Sequence, residues 1–351
     1  MTPLLHRLVA VCLLVVPFIL PAAPAWRVQV SAGAATREGS VAEFMLPATA
    51  PSWRLLDAAG GEVPLQISPT GKASFLIERL ALGTRATHRL EADAPMTPAP
   101  TAVTFQRRAG RIAARVGGRP VFEFHEESSL PPEPGIKPVF RRAGYLHPVH
   151  SPAGLLVTDD YPGDHFHHHG IWWAWTNTRF EGRKPDFWNV GSGTGRVDLL
   201  GVDRVWSGPV HGGLAARFQY VDLSAPQPKA ALHETWELRL YPSATLSQPC
   251  WIFDLTSTQS CAGASPIAFP QYRYGGLGLR GAREWEGRGA AARFLPSNGI
   301  TDRAKAHESR ATWCAIGGLV GGRPVFTSDT RWTTEPAFPN VTFRIPVVME
   351  P

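Results

Sequence analysis

Thr235-Trp236-Glu237-Leu238-Arg239-Leu240 alternates apolar and polar residues with a period of two. In an extended chain this points Trp236, Leu238 and Leu240 to one side and the charged residues to the other, the pattern of half-buried antiparallel sheet. Moving outward, similar runs occur over 111–116, 121–125, 197–206, 214–223, 231–241 and 251–257. Gly (34) and Pro (33) break the chain so often that long helices have little room. No segment sustains the helical period of about 3.6 residues, and no repeat of roughly 20–50 residues suggests a propeller or solenoid. The expected fold is mainly β: a large antiparallel two-sheet β-sandwich, supersandwich-like, over 103–351. Three local readings go with it. Glu234, beside His233, shares the face of Trp236 and reads as a solvated strand end, with a second-carboxylate role in reserve. Gly275-Gly276-Leu277-Gly278 reads as a turn, and the alternating run 340–351 as an edge strand or an incomplete C-terminus.

Upstream, short extended pieces separated by Gly and Pro turns over 26–92 predict a small β-sandwich domain, followed by a Pro-rich linker at 93–102. Residues 1–25 have the parts of a signal peptide. His6 and Arg7 precede an apolar run from Leu8 to Leu20, and Ala23-Pro24-Ala25 places the cut before Trp26. The run falls short of the roughly 20 residues a spanning helix needs, so an exported protein is expected, periplasmic or secreted, with no membrane span after cleavage. The net charge of +6 is mostly arginine and forms no basic cluster, so no nucleic-acid partner is expected. Cys250, Cys261 and Cys314 remain after cleavage; an odd number permits at most one disulfide and leaves its pairing open.

Four of the twelve histidines fall in Asp164-His165-Phe166-His167-His168-His169-Gly170, just after Asp159-Asp160. Extended backbone would put His165, His167 and His169 on one side and Phe166 and His168 on the other. Such a set could chelate one transition metal ion, with a carboxylate from Asp160, Asp164 or Glu181 completing it. It could equally supply a general acid or base, for which His167 or His169 with Asp160 or Glu181 are the candidates. A third reading has the imidazoles only shaping a loop. Downstream come Trp172, Trp173, Trp175 and Trp188, interleaved with Arg183, Asp186 and Asn189. Flat indoles beside bidentate hydrogen-bonding groups suit a sugar ring, apolar on its faces and polar at its rim. Trp172, Arg183, Asp186, Trp188 and Asn189 are therefore candidate substrate contacts, joined by His147 from the upstream Tyr145-Leu146-His147-Pro148. On a strand, Trp173 and Trp175 share a face suited to core packing, whereas Trp172 faces the other way.

The strings Val157-Thr158-Asp159-Asp160-Tyr161-Pro162, Asp164-His165-Phe166-His167-His168-His169-Gly170-Ile171-Trp172, Phe180-Glu181-Gly182-Arg183 and Asp186-Phe187-Trp188-Asn189 resemble a bacterial family titled methane oxygenase PmoA. The resemblance runs from about Val121 to Trp332 and departs from the family pattern at 327–332, where a His- and Pro-rich stretch is replaced. Its title implies a metal-dependent oxidoreductase using copper, iron or zinc, with His165, His167 and His169 as ligands. The residues themselves point first to a carbohydrate-active protein that processes a glycan or small sugar by acid/base chemistry, and alternatively to a non-catalytic sugar-binding module.

Overall fold

A computed structural model of the chain describes residues 25–93, 99–128, 131–242, 249–287, 292–332 and 340–348. The expected signal peptide lies outside these residues except for Ala25, as do residues 94–98 of the expected linker. Among the described residues strands make up 52% and helices 5%, so the mainly β expectation holds.

Two hydrophobic cores are present. The first gathers Trp53, Leu55, Phe75, Ile77 and Leu90 between a four-stranded and a three-stranded antiparallel sheet, both built from residues 25–92. The second, much larger core lies between a six-stranded sheet, formed by strands from Val103–Arg108 to Gly276–Leu279, and an eight-stranded one, formed by strands from Gly195–Trp206 to Asn340–Val348. Aromatic rings join the two sheets face to face. Phe122 meets Phe253 at 5.1 Å between centroids, and Phe124 meets Trp236 edge-on at 6.4 Å. Each such ring buries on the order of 150–250 Å² and makes a large contribution to a sandwich core.

The strand Lys229–Tyr241 carries the predicted alternation: Trp236, Leu238 and Leu240 are fully buried, and Glu237 and Arg239 pair with each other on the outside. Its neighbours bring Ala216 and Ser257 opposite Trp236, and Leu214 and Leu255 opposite Leu238, so the register aligns apolar residues on the same face.

Two expectations are overturned. Asn340–Val348 is no edge strand; it lies inside the eight-stranded sheet, paired with Cys250–Cys261 on one side and Arg323–Trp332 on the other. Gly276–Leu279 is no turn but a strand, aligned residue for residue with Ile171–Ala174. Its glycines have a packing reason: a Cβ on Gly278 would come within 2.6 Å of the Trp172 indole. The glycines let indoles lie directly over the backbone.

The first domain also touches the second. The Gln66 Oε1 accepts the backbone N–H groups of Val210 and His211 at 3.1 Å each, while its Nε2 donates to the His211 carbonyl at 3.0 Å. Arg239 reaches across to Glu43 at 2.8 Å.

Candidate functional site

Residues 159–170 form a loop of two consecutive β-turns. His165 N–H donates to the Pro162 carbonyl, and His168 N–H donates to that of His165. Pro162, Gly163 and Asp164 are turn-forming residues, and local hydrogen bonding there overrides the extended alternation. The loop is closed by Tyr161 N–H to the His168 carbonyl and held to the six-stranded sheet through Gly170 N–H to Asp159 O and Arg280 N–H to Gly170 O. At Gly170, with φ +47°, a Cβ would lie 2.1 Å from the Leu146 carbonyl oxygen, so only glycine permits the approach.

Turn geometry separates the histidines instead of aligning them. His169 points inward and is 1% exposed; its Nδ1 donates to Asp160 at 2.7 Å and its ring also bonds the Phe140 backbone. Asp160 accepts a second bond from the Tyr145 hydroxyl at 2.9 Å. Burial pushes the Asp160 carboxyl up, but the bonds from His169 and Tyr145, with His147 nearby, outweigh it and hold it below its ordinary range. Burial likewise lowers His169 despite Asp160. The pair is thus a hydrogen-bonded imidazole and carboxylate almost wholly out of solvent. His147 adjoins it: its Nδ1 meets the Thr158 hydroxyl at 2.9 Å and its carbonyl accepts the His125 Nε2–H at 2.7 Å.

His165, His167 and His168 point the other way. The His168 ring stacks on His165 (4.7 Å, 15°), meets His167 edge-on (4.5 Å) and lies over Trp172 at 4.8 Å. Trp172 then meets Trp188 at 5.0 Å, and Trp188 meets Tyr274 at 5.5 Å. Beside this row Arg280 sits 3.5 Å from the His168 Nδ1 and pairs with Glu286 and, at 3.2 Å, with Asp164, whose other oxygen takes the His165 Nδ1–H at 3.0 Å. Burial, reinforced by the neighbouring imidazoles and Arg280, pushes His167 down to about 4 and His168 to about 3. Both rings are thus neutral at physiological pH and keep lone pairs available as acceptors.

The remaining candidates divide between this face and other places. Trp188 and Asn189 adjoin it; the Asn189 Nδ2 donates to the Tyr274 hydroxyl at 3.1 Å. Asp186 is occupied in holding the loop, accepting Trp188 N–H, Asn189 N–H, the Asn189 amide and the Thr176 hydroxyl. Trp172 is buried at 2% exposure, so its ring supports the row from beneath. Glu181 and Arg183 are corrections. Glu181 bonds Lys229, Ser265 and Arg183, which hold its carboxyl well below the usual range, and Arg183 reaches the buried Asp222 at 2.6 Å. None of these contacts reaches the histidines.

The set His165, His167 and His169 also fails as a metal triad, because His169 is turned into the core while the other two rings lie outside it, meeting edge-on at 5.6 Å between centroids. Among the described residues no three His, Cys, Asp or Glu side chains stand together as metal ligands. Cys250 is a buried free thiol and Cys261 an exposed one.

Glu234 is a third correction. It is no solvated strand end but 2% exposed, inside the large core. It accepts the Tyr220 hydroxyl at 2.8 Å, the Gln259 amide at 3.0 Å and the Ser257 hydroxyl. Burial nevertheless pushes its carboxyl up. Arg142, also buried, donates to the Trp173 carbonyl at 2.7 Å near the Tyr220 hydroxyl. This polar network was not legible in advance, since its members come from four different strands and loops.

A family model matches residues 111–336, well over half of the chain and all of the histidine loop. The protein belongs to the DUF6807 family, a family of unknown function. No curated protein matches the chain. The DUF6807 match begins with the strand Arg111–Val116, so the first domain lies outside it. One concavity of about 800 Å³ sits in that first domain, between Met45–Trp53 and Ile67–Gly71, and another of about 230 Å³ lies by Arg119 and Ser151–Gly154. Neither is lined by the loop histidines, of which His165 is exposed, His167 and His168 half-buried and His169 buried.

Proposed function

We propose that this protein is exported and carbohydrate-active, with the DUF6807 domain binding and processing a glycan on the open face around His167, His168, Arg280, Asn189 and Tyr274. The observation that carries the reading is a row of rings in contact, stacked at His165–His168 and tilted or edge-on elsewhere, flanked by hydrogen-bonding side chains. Apolar ring faces attract the C–H faces of a pyranose, and the amide, guanidinium and imidazole groups match its hydroxyl rim.

His167 is the proton-handling residue in this reading. It is half-buried and neutral, and among the described residues neither ring nitrogen has a hydrogen-bond partner, so it can accept a proton from a bound hydroxyl or an acidified C–H. His169 supports the loop from beneath through Asp160 and is a positioning residue.

A second reading, a non-catalytic sugar-binding module, is favoured by the exposed His165 and Tyr272 rings, which leave the ends of this face in water, whereas a reacting centre usually excludes it. Glycan-array binding followed by a product assay separates the two. Turnover lost in His167→Ala with binding retained supports the enzyme, binding without turnover supports the module, and unchanged turnover in His167→Ala removes His167 from the chemistry.

A further inference from the structure

We infer that the ligand is a linear acidic oligosaccharide, laid along the row of rings from Tyr272 to His165 with Arg273 as its anion contact; the inference rests on the glycan reading above. The row is longer than one sugar. Tyr272 meets Tyr274 at 5.1 Å, Tyr274 meets Trp188 at 5.5 Å, Trp188 meets His168 at 5.9 Å and His168 meets His165 at 4.7 Å. Both ends are open, with Tyr272 46% exposed and the His165 side chain 45%, while Trp188 at the centre is 8% exposed and forms the floor between them. A site for a single sugar would close around it, whereas a row of rings open at both ends lets a chain continue past.

The charge of the ligand follows from which groups on this face are already paired. Arg280 is neutralised by Asp164 and Glu286, and Arg283 by Asp159. Asp186 spends its oxygens on Thr176, Asn189 and two backbone amides. Arg273 differs. It is exposed, its guanidinium lies 5.7 Å from the Tyr272 ring and 5.9 Å from the Tyr274 ring, and among the described residues no carboxylate pairs with it. A guanidinium held against two rings keeps its forked N–H donors free, and that fork fits a carboxylate or sulfate oxygen pair. An acidic group on a sugar seated over Tyr272 or Tyr274 would meet it.

The test is binding of the full chain to an array of linear glycans of one to six residues, comprising neutral, uronate-bearing and sulfated members. Acidic members longer than a disaccharide should bind best, more weakly as salt rises, and the uronate and sulfate arms identify the anion. Arg273→Gln should weaken acidic ligands roughly tenfold, the size of a charge-assisted hydrogen bond, and leave neutral ones unchanged. Tyr272→Ala should weaken longer chains more than disaccharides. Both side chains are exposed, and a circular-dichroism melt checks that the variants are folded. A preference for neutral glycans, or equal affinity for one sugar and for six, overturns the inference and leaves the glycan reading standing. No binding to any glycan overturns both.

Discussion

Asp160 and His169, nine residues apart in the chain, are joined by a 2.7 Å hydrogen bond that fixes the histidine loop to the underlying sheet. The bond is almost dry, with the His169 side chain 2% exposed and that of Asp160 15%. Because Tyr145 bonds the second Asp160 oxygen, one carboxylate satisfies two buried donors from different parts of the chain.

Asp160→Ala should therefore destabilise the protein by about 2–6 kcal/mol, since leaving each of the two buried donors without its partner costs about 1–3 kcal/mol. Asp160→Asn should cost less, because its single carbonyl can still receive the His169 Nδ1–H. Urea denaturation of the two variants checks the order; equal loss in both would show that charge, and not acceptor count, matters at this position.

Glu234→Ala should lose about 3–5 kcal/mol, the usual effect of removing one partner from a buried polar and ionic network. Glu234→Gln should lose less, because the Tyr220 and Ser257 hydroxyls can rotate to suit an amide. Since burial raises the Glu234 carboxyl, the folded state holds its proton to higher pH than the unfolded state does, and this group's contribution to stability declines as pH rises through that range. Denaturation midpoints of wild type and Glu234→Gln across pH 4 to 8 should therefore converge or cross; parallel curves would contradict the raised carboxyl.

Acid should act through the histidines. His125 and His167 fall to about 4 and His168 to about 3, burial being the largest cause in each. Unfolded imidazoles take up protons near pH 6.5, before the folded ones do, so stability falls as pH drops from about 6.5 towards 4 and levels off below the folded values. A thermal melt series should show that slope, and His168→Gln should flatten it. An unchanged slope would mean that His168 is solvated in the folded protein.

Glu181→Ala should leave glycan binding unchanged, because the Glu181 contacts run to Lys229, Ser265 and Arg183 and not to the histidines. Arg183→Ala should lower the melting temperature by stranding the buried Asp222, again with binding intact at permissive temperature. Lost binding in folded Glu181→Ala would return this carboxylate to the site.

What could be read from the sequence follows the range of the interactions involved. The segment 111–116 is a strand to the residue, and 231–241 differs from the observed strand Lys229–Tyr241 only at its start, because alternating burial is set by each strand's own residues. The histidine loop escaped an extended reading although Pro162-Gly163-Asp164 was a visible turn signal. Burial of Glu234 had one local signal, its place on the face of Trp236, but the partners that make burial tolerable, Tyr220, Ser257 and Gln259, reach it from neighbouring strands. Gly276–Leu279 was misread for a similar reason: its glycines answer to the indole of Trp172 on the adjacent strand, not to a bend of their own.

The clasp that Gln66 makes on the backbone of Val210 and His211 reaches beyond the family's matched boundary. A chain pared down to residues 111–336 would bare two amides and a carbonyl that a neighbour now caps, so the larger sandwich in this protein has become a tenant of its preface, and the two should melt together as one cooperative body.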